Sequence, residues 1–236
     1  MDQFDRTAML LGRDALERLR QSRVAVFGIG GVGGYAVEAL ARSGVGALDL
    51  IDHDTVSLTN LNRQILALHS TLGQPKVQVA ARRVLDINPA CRVTAQDVFF
   101  LPENADQFDF TLYDYVVDAI DTVAGKLALV QKAREAGTPI ICCMGAGNKL
   151  DPMAFEAADI YDTSVCPLAR VMRTECRKRG IDHLRVVYSK EPPLIPGQSS
   201  EQAEGSRRSV PGSAACAPAA AGLLLAAEVI RALCRP

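Results

Sequence analysis

Short apolar runs and longer stretches of helical spacing follow one another along this chain. Residues 23–27 form the first run, 32–42 carry small and apolar residues at helical spacing, and 47–51, interrupted by Asp49, read as a second strand. Pro75 stands at the start of a helical pattern in which Val77, Ala80, Ala81, Val84 and Leu85 share a face, and Asn88-Pro89 ends it. Runs at 92–95, 115–118 and 139–143 predict further strands, with a helix over 124–135 capped by Gly137. The alternation of strand and helix predicts an α/β fold of the doubly wound, Rossmann-like kind, a mainly parallel sheet with helices on both faces.

The second part of the chain is less regular. Its pattern predicts strands at 155–160 and 184–188, a helix over 167–179 ended by Gly180, and a last helix over 218–233. Residues 191–212 are rich in Pro, Gly, Ser and charge and carry almost no apolar period, which predicts a long mobile loop. Such a loop is either a lid or binding segment, or a tolerated insertion. The expected organisation is one domain over 1–236. Within it, 1–150 is a nucleotide-binding core and 151–236 a substrate-binding and closing segment.

Composition narrows the function. Hydrophobic residues make up 48% of the 236 and charged residues 22%, enough for a sizeable core. A net charge of -1 and the absence of tryptophan argue against a base-stacking module and against whole-chain attraction to RNA or membrane, so such binding needs a local patch. Asp2, Asp5 and Arg6 come too early for a signal segment. The longest apolar stretch, Ala214 to Ala227, has 14 residues and contains Pro218. A membrane span needs roughly 18 or more, so the stretch reads as a buried helix rather than as stable membrane insertion. Seven cysteines with no C-x-x-C spacing suit a reducing cytoplasm. Cys166 and Cys216 have no histidine nearby in sequence and read as buried structural thiols.

The glycines of Gly28-Ile-Gly-Gly-Val-Gly33, Gly30 and Gly31 among them, lie between the first strand and the first helix of the alternation. That placement gives a tight turn, close backbone approach and a helix N-terminus facing phosphate, and it fits NAD and ATP alike. Asp52, 19 residues after Gly33, stands where an acid takes a ribose hydroxyl. Then come residues a dehydrogenase does not need: Asp54, Asn60, Arg63, Gln64 and Lys76. Two cations and two amides close to the glycine loop suit a triphosphate, whose charge must be neutralised as it moves. Asp118 and Asp121 follow a buried strand at the ligand-holding edge, where a carboxylate suits magnesium. Singly, each has a plainer reading: Asn60 caps a turn, Arg63 and Lys76 are solvated, Asp118 caps the next helix. Their order and clustering favour the nucleotide. His53 reads as a hydrogen-bonded turn residue rather than a catalytic base.

The string "GIGGVGG…LIDHDTVSLTNLNRQ…GQPK…VVDAIDT" resembles the ATP-binding core of the ubiquitin-activating-enzyme-like superfamily, over roughly residues 4 to 150. The resemblance implies that Asp52 holds the ribose, that Asn60, Arg63, Gln64 and Lys76 hold the phosphates, and that Asp121 takes Mg2+. Arg63, Lys76 and Asp121 are then the residues closest to the chemistry. Arg6, in "FDRTAMLLG", matches an arginine that relatives lend to the neighbouring subunit's ATP, which implies a homodimer. Its plainer reading is a surface arginine near the chain end.

Beyond the core, "MGAGNKLDP", "ADIYDTSVCPLARVMRTECRKRGI" and "RVVYSKEPP" resemble the family of tRNA threonylcarbamoyladenosine dehydratases. That likeness implies ATP-dependent cyclisation of N6-threonylcarbamoyladenosine in tRNA through adenylation of the threonyl carboxylate. It also implies a tRNA-binding surface. Arg170, Arg173 and Arg177 form one stripe of the 167–179 helix, with Lys178 and Arg179 at its end, and seven basic residues face two acidic ones between Cys166 and Lys190. A solvated helix face, favoured by the helix dipole, is the plainer reading of this stripe. The alternative activity is adenylation of the C-terminus of a ubiquitin-like sulfur-carrier protein. That branch usually carries paired C-x-x-C motifs, which this chain lacks. A sulfur-relay protein partner is a further possibility.

Overall fold

The computed structural model describes residues 2–197 and 211–235, so the part of the expected 191–212 loop between 198 and 210 lies outside the described residues. Seven strands form one sheet: β1 Arg23–Phe27, β2 Ala47–Asp52, β3 Arg92–Asp97, β4 Tyr115–Asp118, β5 Ile140–Cys143, β6 Phe155–Asp159 and β7 Arg185–Ser189. Their order is β3-β2-β1-β4-β5-β7-β6. All neighbours are parallel except β6 and β7, whose antiparallel pairing runs from Phe155↔Ser189 to Asp159↔Arg185.

The helices are α1 Asp5–Leu11, α2 Arg13–Gln21, α3 Gly33–Arg42, α4 Lys76–Ile87, α5 Val123–Ala136, α6 Pro167–Lys178 and α7 Cys216–Cys234. Apolar residues of α3, α4 and α7 pack with β1 and β2 in one core. Those of α5 and α6 pack on two further clusters that include β4, β5 and β7. Covering both faces explains why β1 and β4 read as apolar runs rather than alternating ones, while β2 is interrupted by Asp49, which is buried against Arg23 at 2.9 Å. Phe27 anchors one of these clusters, with the Phe100, Phe108 and Phe110 rings at 5.0, 5.5 and 5.9 Å.

Helix α7 is long and apolar enough, by length and composition, to cross a membrane. Here it buries Ala217, Ala221, Leu225, Ala226 and Val229 in the protein core. Gly222 permits this, because a Cβ there would stand 2.2 Å from the Val32 carbonyl oxygen.

The periodicity misses α1 and α2. Helix α2 is amphipathic, burying Ala15, Leu16 and Leu19, whereas α1 buries none of its residues and leaves no core-facing pattern to read. Elsewhere the elements start or end within one or two residues of their expected bounds, a normal fraying margin. From β1 the sheet grows one way through β2 and β3 and the other way through β4 and β5. The switch point between β1 and β4 opens at the carboxyl ends of the strands, where open α/β sheets hold ligands.

Candidate active site

The loop after β1 is held by close approaches that only glycine tolerates. Gly28 has φ +87°, and a Cβ there would lie 2.7 Å from the Ala119 carbonyl oxygen. At Gly33 a Cβ would stand 1.8 Å from the Gly28 carbonyl oxygen, so Gly33 closes the turn beneath the cleft and does not line it. Asp52, at the end of β2, accepts from the Ile29 amide at 2.6 Å with one carboxylate oxygen and from the Asp54 amide at 2.8 Å with the other. The acid thus fixes the glycine loop and its own following turn.

A cleft of about 290 Å³ opens at the switch point, lined by Gly28, Gly30, Gly31, Asp52, Asp54, Arg63, Gln64, Lys76 and Asp121. Its apolar wall is Val98, Phe99, Phe100 and Ile120, with the Phe99 ring 4.2 Å from that of His53. His53 itself is exposed, its Nε2 3.3 Å from Asp54 Oδ1. The Lys76 side chain is buried at the start of α4 and donates to Asp54 Oδ2 at 2.6 Å. Arg63 donates to the Thr59 carbonyl and to Asn62 Oδ1, both at 2.9 Å, and among the described residues it has no carboxylate partner. Gln64 is buried and, among the described residues, its Oε1 has no partner. A buried polar atom left without a partner costs about 1–3 kcal/mol, which a polar occupant of the cleft relieves.

Asn60 lies outside the cleft lining. Its Oδ1 accepts from the Ser57 amide at 3.1 Å, the capping geometry of its plainer reading, and its carbonyl accepts from the Arg63 and Gln64 amides. Asn60 therefore shapes the turn that presents those two side chains. Arg6 is exposed on α1 and lines neither this cleft nor the cavity beside it.

The two aspartates after β4 separate sharply. Asp121 is exposed at the cleft. Asp118 is wholly buried and salt-bridged to Lys126, also wholly buried, at 3.0 Å. This corrects both readings of Asp118: it neither faces a metal nor caps α5, because its charge is spent inside the protein. Burial pushes the Lys126 ammonium down, but the Asp118 carboxylate outweighs that and raises its pKa above the usual lysine value.

The triplet Asp52, His53 and Asp54 brings three potential ligand atoms within 4.8 Å of one another. Two of the three are already engaged, Asp52 with backbone amides and Asp54 with Lys76. Asp121 is the cleft carboxylate with no hydrogen-bond partner among the described residues, and its hard oxygens fit a magnesium ion beside phosphate.

A second cavity of about 350 Å³ shares Gly31, Arg63, Ala119, Ile120 and Asp121 with the cleft. Its other walls come from Val32, from Cys143 at the end of β5 and the loop after it (Met144 to Gly147), from Leu168 of α6, from Pro218 of α7, and from Pro211 and Ser213. Asn148, in the left-handed region at φ 57°, exchanges hydrogen bonds with Gly212 (2.7 Å each) and accepts from the Leu194 amide at 2.9 Å. Both described ends of the 191–212 segment are thereby tied beside this cavity.

The basic stripe on α6 is not uniform. Arg173 is half-buried, with its guanidinium bonded to the Thr163 carbonyl and hydroxyl at 2.6 Å each, so it braces the loop before α6 instead of facing solvent. Lys178 and Arg179 share Glu175, at 2.7 and 2.5 Å. Arg170 and Arg177 are exposed, the latter 5.2 Å above the Tyr161 ring. Cys166 is buried as expected, but Cys216 is exposed at the start of α7, where neighbouring small residues leave it uncovered.

Sequence reasoning passed over Lys126 and Phe99. The signal for Lys126 was a lone cation in the apolar run "AGKLALV", eight residues after Asp118. Phe99 carried no usable signal, since only the folded loop after β3 brings it to the cleft.

Comparison with known proteins gives the family. The family model described as the ThiF family matches residues 4–236, and the chain belongs to that family. The tRNA threonylcarbamoyladenosine dehydratase of Bacillus subtilis (strain 168) is 43% identical over 239 residues, covering 98% of this chain and 94% of its own. The crystal structure of the E. coli tRNA N6-threonylcarbamoyladenosine dehydratase in complex with ATP superposes with a TM-score of 0.88 at 36% identity, covering 98% of this chain and 93% of that one. The same enzyme in complex with AMP gives 0.87 at 37%.

Proposed function

We propose that this chain is an ATP-dependent adenylating enzyme that dehydrates N6-threonylcarbamoyladenosine in tRNA. One observation carries the reading: a cleft with a ribose-type acid, Asp52, and the cations Arg63 and Lys76 runs into a second cavity through Arg63 and Asp121. The cleft suits ATP, which the E. coli relative is seen to bind. The second cavity suits the threonylcarbamoyl side chain, whose carboxylate enters beside Arg63. The carboxylate attacks the α-phosphate and pyrophosphate leaves. A neighbouring atom of the same side chain then displaces AMP, closing the ring with net loss of one water. Ring closure within one bound group draws its rate from proximity, so no enzyme nucleophile is required.

In this reading Gln64 and Lys76 join Arg63 on the phosphates, with Asn60 shaping their turn, and Asp121 holds Mg2+, which when bound neutralises phosphate charge. The tRNA backbone lies along α6, met first by Arg170 and Arg177, with Lys178 and Arg179 at the far end of the helix. A homodimer, with Arg6 reaching the partner's nucleotide, fits the exposure of Met9 and Leu10 on the same short helix at 86% and 84%. The setting is the cytoplasm, in keeping with seven free thiols. No step of the reaction calls for a sulfur-relay partner.

The test is AMP release from ATP in the presence of tRNA carrying or lacking the threonylcarbamoyl group. Release only with the modified tRNA supports the reading. Release that ignores tRNA and depends on a protein with a Gly-Gly tail supports the sulfur-carrier alternative.

A further inference from the structure

Lys126 and Asp118 take no part in the reaction just described, yet a buried ion pair is seldom the most stable way to fill a core. Their position explains what they do. The pairing of β4 with β5 ends at Asp118↔Cys142, while Cys143 pairs instead with Val187 of β7. Beyond that point β4 leads into Ala119, Ile120 and Asp121, which form the wall shared by the ATP cleft and the second cavity, and β5 leads into a wall of the second cavity alone. Lys126 spans the gap. Its ammonium donates to the two Asp118 carboxylate oxygens at 3.1 and 3.0 Å and to the Cys143 carbonyl at 2.7 Å. Asp118 in turn accepts from the Ile120 amide at 3.2 Å, one residue before Asp121.

We propose that Lys126 is a positioning residue that fixes the loop after β4, which lines the ATP cleft and its border with the second cavity, through Asp118 and Ile120, against the acceptor-side loop after β5, through the Cys143 carbonyl. The proposal rests on the reading above, in which ATP and the acceptor carboxylate occupy the two adjoining cavities. One buried ammonium then sets the separation of the two reacting groups without touching either. A misplacement of about 1 Å between reacting groups can cost about a hundredfold in rate.

A device of this kind leaves a different trace from a pair that only stabilises the fold. The double substitution Lys126→Met with Asp118→Asn removes both charges together, so no uncompensated charge stays buried. The expected result is a folded protein with ATP binding within about threefold of wild type and a kcat for AMP formation lower by about a hundredfold. Lys126→Arg, which keeps the charge but moves its donors, is expected to show the same split and serves if the double variant does not fold. A kcat within about threefold of wild type in either folded variant overturns the proposal, as does an ATP affinity that falls in step with kcat. Wild-type protein runs alongside on modified tRNA. Failure there refutes the functional reading, and failure of the split in an otherwise active enzyme refutes the positioning role alone.

Discussion

The Asp52 carboxylate accepts from the Ile29 amide at 2.6 Å, so the acid that ends β2 grips the loop that ends β1. In the proposed reading, the side chain that holds the ribose also sets the loop geometry. Asp52→Ala removes a charged acceptor from two backbone amides, each bond worth about 1.5–3 kcal/mol at most. ATP affinity measured by calorimetry is expected to fall at least about tenfold, with a lower melting temperature. Unchanged ATP binding would separate Asp52 from the nucleotide.

Asp121→Asn tests the metal assignment. Asp121 is exposed and, among the described residues, has no partner, so stability should change by no more than an ordinary surface substitution does, about 0.5 kcal/mol. AMP formation should collapse at low magnesium and recover in part as the ion is raised. A wild-type magnesium titration in the variant would move the metal elsewhere, with the Asp52–His53–Asp54 triplet the next place to look.

How far these residues could be read from the chain differs from residue to residue. The glycine loop, Asp52, Arg63, Gln64 and Lys76 were legible because their spacing is set by the βαβ framework, and the fold brings them to one cleft. The central parallel strands β1 and β4 were legible because burial on both faces leaves apolar runs. Asp118 and Asp121 could not be told apart, since three residues at the end of a strand reverse a side chain from core to solvent. Arg173 looked like its neighbours on the stripe. Its inward turn depends on Thr163, which helical spacing on α6 does not reveal. Cys216 looked buried among small residues, but a helix start exposes what a helix middle would cover.

Two of the three arginines on α6 give opposite predictions. Arg170→Glu should weaken tRNA binding with ATP binding unchanged. The slope of log K against log salt should drop by about one for each phosphate that the side chain no longer neutralises. Arg173→Ala should instead lower thermal stability, because the Thr163 carbonyl and hydroxyl are left without their donor. Equal effects of the two on tRNA affinity, with no change in stability, would contradict this division.

Thiol reactivity follows burial. Burial pushes Cys91 up to about 11 and Cys143 up to about 12, and raises Cys142 well above its ordinary value. These groups stay protonated and unreactive through the neutral range and yield thiolate only as pH climbs toward those values. Alkylation of native protein near pH 8, followed by peptide mass mapping, should label exposed Cys216 first and leave Cys91, Cys142 and Cys143 unmodified. Early labelling of Cys143 would mean that the wall of the second cavity is open in solution.

Mass analysis of nucleosides from tRNA incubated with the protein, ATP and magnesium tests the central claim most directly. The account predicts that N6-threonylcarbamoyladenosine loses the mass of one water while ATP is converted to AMP and pyrophosphate. A nucleoside of unchanged mass, with protein that binds ATP normally, would contradict it.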